Sequence, residues 1–152
     1  MSKIKSVIID YNMGNLYSLK CALDYINLET EITNSKKIIN NSQIIFIPGV
    51  GSFEQAIKNL KKLKIYDDII KHSLNDKTII GICLGMQILF NEGTEGKKTE
   101  GLNLLNGVVK KFPSNIKNKL NVGWNNIEFN NNKTFKKINK NKKFYFFHSY
   151  QV

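Results

Sequence analysis

The run Thr78-Ile-Ile-Gly-Ile-Cys-Leu-Gly-Met-Gln-Ile-Leu-Phe90 constrains the fold more than any other part of the chain. Its β-branched start, Thr78 to Ile82, reads as a strand; Leu84 to Phe90 continues with helical spacing, and Gly81 and Gly85 flank Cys83. Strand, sharp turn and helix with a cysteine at the bend form the thiol version of a nucleophile elbow, where small neighbours leave the reactive group room. A cysteine so placed faces the first N–H groups of the following helix. Their partial positive charge favours thiolate, and the N–H of Leu84 points where an oxyanion would develop. The alternative is a small buried residue ending a core strand, the ordinary use of an intracellular cysteine. The flanking glycines and the amide of Gln87 one turn on argue for the elbow.

A chain of 152 residues, 41% apolar, is expected to form a single domain over residues 1–152 with a real core. Met1-Ser-Lys-Ile-Lys leads straight into a strand-like run, so no signal peptide is read, and no apolar stretch approaches membrane-spanning length. A cytoplasmic location follows. Cys21 falls in a helix and Cys83 at the elbow, which disfavours a disulfide. Neither His72 nor His148 has ligand-spaced neighbours, so no metal is expected, and no cofactor is implied. The net charge of +11 comes from lysines, without a single arginine, among abundant asparagine and isoleucine. Base and phosphate readers lean on arginine's planar fork, so a nucleic-acid partner is not expected; the Lys61–Lys64 and Lys133–Lys143 clusters read as solvated faces.

In chain order, Lys3 to Asp10 reads as a buried strand, Tyr11 to Asn15 as a turn, and Leu16 to Ile26 as a helix whose packed face includes Cys21. Glu29 to Thr33 is a weak strand and Gln43 to Ile47 a stronger one, closed by Pro48-Gly-Val-Gly51, after which Ser52 starts a helix. That turn places unencumbered N–H groups at the carboxyl end of a strand, where in an open parallel sheet the elbow also lies. A tight loop without a ligand is an equal reading on these residues alone. Tyr66 to Leu74 is a helix with His72 on its polar side, and Asn91 to Gly96 a polar loop. Its Glu95 either faces solvent or reaches a ligand's ammonium group. From Gly101 onward, short strands (Leu102 to Val109, Val122 to Phe129, Lys143 to Phe147) alternate with polar loops. The architecture is thus α/β, a three-layer mixed sheet flanked by helices with a β-rich second half.

Six stretches, in order, carry a resemblance across almost the whole chain: Tyr11-Asn-Met-Gly-Asn-Leu, Pro48-Gly-Val-Gly-Ser-Phe, Gly81-Ile-Cys-Leu-Gly-Met-Gln, Gly101-Leu-Asn-Leu-Leu-Asn-Gly, Gly123-Trp-Asn and Phe144-Tyr-Phe-Phe-His-Ser-Tyr. With them the chain resembles the class I, triad-type glutamine amidotransferases, and within these the glutaminase subunits of imidazole glycerol phosphate synthase, of flavodoxin-like fold. The resemblance implies that Cys83 attacks the side-chain amide of glutamine, forms a thioester and releases ammonia, after which water frees glutamate. It implies oxyanion-hole N–H groups from Val50, after a peptide flip in the turn, and Leu84. Glutamine would be held by Gly51, Gln87, Glu95, Ser149 and Tyr150. Asn12, Asn15 and Trp124 would face a (β/α)₈-barrel cyclase partner, forming a heterodimer into which ammonia passes shielded from water.

Two departures qualify this. The family's catalytic histidine and glutamate lie in a His-Pro-Glu segment that these 152 residues do not contain, so the domain is expected to be an incomplete one, lacking the last strands and the base, with little or no turnover. His148, in an aromatic strand, is read as structural. Leu120-Asn-Val stands where the family usually has Pro-His-Met, on the partner-facing side. The alternatives are a paralogous subunit feeding a sugar amidotransferase of surface-polysaccharide synthesis, or a non-catalytic interaction module.

Overall fold

The computed structural model describes residues 5–115, 120–128 and 142–152. They fall into two compact units, residues 5–110 with Val152, and the described residues between 111 and 151.

The first unit is built on four short strands, β1 (Ser6–Ile9), β2 (Thr30–Thr33), β3 (Ile44–Ile47) and β4 (Thr78–Gly81), all parallel in the order β2-β1-β3-β4. The central pair, β1 and β3, carries the isoleucine-rich signature of strands covered on both faces, with Val7, Ile8, Ile9, Ile45 and Ile47 buried, whereas β2 (Thr-Glu-Ile-Thr) and β4, whose Ile80 is exposed, do not. Register Val7↔Ile45 and Ile8↔Phe46 places alternate residues in common layers. Ile8 and Phe46 pack with Leu23, Leu16 and Leu19 of helix α1 (Leu16–Tyr25). The helices α2 (Lys36–Asn41), α3 (Phe53–Lys62) and α4 (Tyr66–Leu74) follow, α2 lying against β1 and α4 against β4. Phe53, Ala56, Ile57 and Leu60 bury one stripe of α3, the i, i+3, i+4, i+7 pattern of a helix seated on a core. After β4 come the single-turn helix α5 (Leu84–Gln87) and a smaller mixed sheet. In it β5 (Phe90–Gly93) pairs parallel with β7 (Leu105–Lys111) and antiparallel with β6 (Thr99–Glu100). The fold is therefore α/β, mixed sheets flanked by helices.

In the second unit β8 (Asn121–Asn126) and β9 (Lys143–His148) form an antiparallel pair in register from Asn121↔His148 to Asn126↔Lys143. Phe129, the expected end of β8, lies outside the described residues, as do most of the Lys133–Lys143 cluster and Lys3.

Several sequence expectations are corrected. The helix after Cys83 ends at Gln87 instead of running to Phe90. The segment 101–105 claims the next carbonyls, Leu102 N–H donating to Ile88 O (2.8 Å) and Leu104 and Leu105 N–H to Leu89 O (2.8 and 3.0 Å), so the chain turns into β5. Part of the expected polar loop, Asn91 to Gly93, is consequently strand. Cys21 is exposed, not core. Leu16, Leu19 and Leu23 hold the sheet-facing stripe, and Cys21, two residues from both leucines, points about 200° away. His72 is buried rather than on a polar face, because Ile65, Ile69 and His72 recur at i, i+4, i+7. Helix α2 was not legible, since Ile38 and Ile39 are its only apolar residues between lysine and asparagine pairs.

Candidate active site

Strand β4 delivers the chain to Cys83, which takes φ +54° and ψ −117° before α5 begins. A non-glycine residue held there costs about 1–3 kcal/mol and persists only where its surroundings over-determine it. Here they do. Ile82 N–H donates to Ile47 O (2.9 Å), extending the β3–β4 ladder to the bend, and Gly85 N–H donates to Ile82 O (3.0 Å) just beyond it. Met86 and Gln87 N–H both donate to Cys83 O, at 3.0 and 3.1 Å. The glycines are sterically required: a Cβ at Gly85 would stand 1.7 Å from Ile47 O, and one at Gly81 2.5 Å from Met86 Cα. Cys83 itself is exposed, so the reading of a buried strand-end thiol does not hold. With α5 one turn long, the field at the sulfur comes from the nearest peptide groups, not from a long helix.

The turn after β3 is packed on this elbow. A Cβ at Gly49 would lie 3.1 Å from both Gly85 N and Leu84 Cβ. Leu84 is buried and opens α5, Val50 is exposed, and Gly51 has φ +107°. The structure thus brings Cys83, Leu84 and the Pro48–Gly51 turn together at the carboxyl ends of adjacent parallel strands, β3 and β4.

Glu95 joins the same neighbourhood by an unanticipated route. Its Oε2 accepts the N–H of Phe53 (2.8 Å), the first residue of α3, while Ser52 Oγ caps Gln55 N–H (3.3 Å). A carboxylate at a helix start satisfies an otherwise orphan donor and is favoured by the dipole. It also fixes Glu95 directly after the Pro48–Gly51 turn. Gln87 is the half-buried last residue of α5.

Among the partner-facing candidates, Asn12 is exposed in the left-handed region (φ +61°), and Asn15 caps α1, its Oδ1 accepting Ser18 N–H (3.1 Å). Ser149, Tyr150 and Trp124 belong to the second unit. Trp124 is exposed and meets Tyr145 edge-on at 5.6 Å. His148 there has both ring nitrogens occupied: Nδ1–H donates to Tyr150 O (2.8 Å), a group that only accepts, so Nε2 accepts from the Asn121 amide (3.0 Å). That arrangement agrees with its structural reading.

Tyr11 is a site residue the sequence reading left unassigned. It is fully buried, and its hydroxyl donates to Pro48 O (2.6 Å). Burial, with a contribution from nearby Cys83, pushes its pKa well above the ordinary tyrosine range. A tyrosine ending a buried strand beside a glycine turn was the available signal. A cavity of about 550 Å³ lined by Tyr17, Lys20, Cys21 and Asp24 lies instead along α1 and β2, the opposite edge of the sheet from β4.

Residues 7–152 match the family Glutamine amidotransferase class-I. The chain belongs to that family. It is 44% identical over 147 residues to the imidazole glycerol phosphate synthase subunit HisH of Caldanaerobacter subterraneus subsp. tengcongensis, covering 95% of this chain and 71% of the relative. It is 40% identical over 148 residues to HisH 2 of Methanococcus maripaludis, covering 95% and 73%. Among solved structures, a crystal structure of glutamine amidotransferase superposes with TM-score 0.63 at 18% identity, covering 78% of this chain and 62% of that one, a likeness of fold. The resemblance carried by the six sequence stretches is therefore a family relationship.

Proposed function

We propose that this chain is the glutamine-hydrolysing subunit of an imidazole glycerol phosphate synthase, with Cys83 as nucleophile. The observation that carries the proposal is the exposed Cys83 at a left-handed bend, with the Gly49 turn packed against Leu84 and Gly85. In this reading the Cys83 sulfur adds to the γ-carbonyl of glutamine, and the developing O⁻ takes the N–H groups of Leu84 and Val50. Collapse forms the thioester and expels ammonia, which needs a proton from a general acid; water then releases glutamate. Gly51 and Gln87 border the substrate. Glu95, with Oε2 committed to Phe53, offers Oε1 to the ammonium group, and Ser149 and Tyr150 are assigned to the amino-acid end by the family resemblance alone. The relatives' names favour the histidine pathway over a sugar-amidating one.

The finer parts of the proposal follow the family. Asn12, Asn15 and Trp124 face a (β/α)₈-barrel cyclase in a cytosolic heterodimer, and ammonia passes to it without meeting bulk water. Among the described residues no helix is long and apolar enough to cross a membrane. His72 is buried on α4 and both ring nitrogens of His148 are engaged within its own unit, which favours neither histidine as the base for Cys83. As these 152 residues, the chain is therefore expected to show little or no glutamine turnover. Co-expression with the histidine-pathway cyclase tests the reading: a stable complex weakened by Trp124→Ala and Asn12→Ala supports it. Exclusive recovery with a sugar-amidating synthetase would overturn the pathway. Glutamate production by the 152-residue chain, abolished by Cys83→Ala, would overturn the expected inactivity.

A further inference from the structure

Three contacts converge on the peptide group between Pro48 and Gly49. The Tyr11 hydroxyl donates to Pro48 O at 2.6 Å. The same hydroxyl presses on the next residue, where a Cβ at Gly49 would lie 2.4 Å from it, and a Cβ at Gly14 would lie 3.1 Å from Gly49 N. Tyr11 is itself fixed from the far side, its carbonyl accepting the Asn59 side-chain amide of α3 (2.9 Å), and its ring is wholly buried. The buried hydroxyl and the Pro48 carbonyl satisfy one another, so displacing the carbonyl would leave a buried donor unpaired, and the contact holds the turn in place.

The peptide is planar, so holding the Pro48 carbonyl also fixes the direction of the Gly49 N–H. Rotation in the turn is then confined to the next peptide, between Gly49 and Val50, which carries the expected oxyanion donor. We propose that Tyr11 is a positioning residue for acyl transfer at Cys83: by clamping the Pro48 carbonyl, its hydroxyl anchors the turn that presents the Val50 N–H to the developing oxyanion. The inference rests on the glutaminase reading and deepens it. Because burial disfavours the phenolate, the hydroxyl remains a donor throughout the neutral range. Tyr11 touches no reacting atom; its effect passes through the turn.

The test separates oxyanion-dependent from oxyanion-independent reactions of the same sulfur. In a Cys21→Ser background, which removes the other exposed thiol, Cys83 is acylated by 4-nitrophenyl acetate. The sulfur bonds to the acetyl carbon and 4-nitrophenolate departs, so no general acid is needed, and a Cys83→Ala blank is subtracted. Iodoacetamide reports the same thiol without an oxyanion, since the sulfur bonds to its saturated carbon as iodide departs. Losing an oxyanion donor outright costs 10²–10³, so misplacing one through Tyr11→Phe is expected to slow acylation by about tenfold. The iodoacetamide rate is expected to change less than about twofold, since no oxyanion forms there.

Tyr66→Phe is the structural control, because it also removes a hydroxyl donating to a backbone carbonyl, that of Gly101. It should leave the ratio unaltered. Equal slowing of both reactions, or no change in either, overturns the role of Tyr11. A parent chain without any Cys83 ester burst overturns the glutaminase reading and this inference together, whereas a burst indifferent to Tyr11→Phe sinks the inference alone. Should Tyr11→Phe fail to fold, NMR of the unaltered chain decides. A Tyr11 hydroxyl proton in slow exchange and coupled to the Pro48 carbonyl supports the clamp, and its absence overturns it.

Discussion

Replacing Gly85 by alanine tests how tightly the elbow is built. The added methyl carbon would stand 1.7 Å from Ile47 O and 2.6 Å from Ile47 C, both backbone atoms, where real contacts keep beyond 3.0 Å. No rotamer relieves this, so α5 must lift off the end of β3 by about an ångström or more. Two hydrogen bonds span that junction, Ile82 N–H to Ile47 O (2.9 Å) and Gly85 N–H to Ile82 O (3.0 Å). At about 1 kcal/mol each, added to about 1–3 kcal/mol for overpacking, the loss comes to about 3–5 kcal/mol. For a chain of this size that lowers the melting temperature by about 10 °C or more. Gly96→Ala is the matched control, since Gly96 has φ +74° with nothing within 4 Å of its would-be Cβ. Its cost is left-handed strain alone, about 1–2 kcal/mol. Thermal unfolding followed by circular dichroism reads both variants. If Gly85→Ala melted within about 2 °C of the parent, the packing of elbow on β3 would be wrong.

Burial first, then Lys77, holds the His72 pKa below its ordinary value, against weaker opposing pulls from backbone groups of Thr78, Ile39 and Gln43. The unfolded chain then binds the proton more readily, so stability is full above about pH 6.5 and falls as pH drops through the folded-state pKa. Denaturant midpoints at pH 8, 6 and 5 should decline, and His72→Leu should flatten that dependence. Asn15→Ala removes the α1 cap and is expected to cost about 1 kcal/mol in urea unfolding. Glu95→Gln exchanges a charge-assisted cap of α3 for a neutral one; about 0.5–1 kcal/mol of stability is expected to go, less so in high salt.

The parts of this fold that were legible in sequence are those where one signal acted alone. Isoleucine-rich β1 and β3 announced themselves, as did α3 behind Ser52 and α4 over Tyr66–Leu74. The bend at Cys83 followed from glycines whose necessity the packing now explains. What stayed hidden depends on long-range partners. The short reach of α5 is decided by carbonyls taken up from residues 102–105, which no local pattern contains. Likewise, the capture of Glu95 by Phe53 and of Pro48 by Tyr11 joins residues 42 and 37 positions apart. His72 was misread because polarity was weighed above the i, i+4, i+7 spacing with Ile65 and Ile69. Cys21 was misread because a helix with many apolar residues was granted a wider buried face than Leu16, Leu19 and Leu23 occupy.

The central claim is that Cys83, alone of the two exposed cysteines, is presented to a glutamine-shaped ligand. Its most direct test is a chloroketone analogue of glutamine, with the labelled residue located by mass spectrometry and glutamine added as competitor. The account predicts labelling of Cys83 at least about tenfold faster than of Cys21, an advantage of about 1.4 kcal/mol from positioning, and its suppression by glutamine. Equal labelling of the two thiols, indifferent to glutamine, would contradict it.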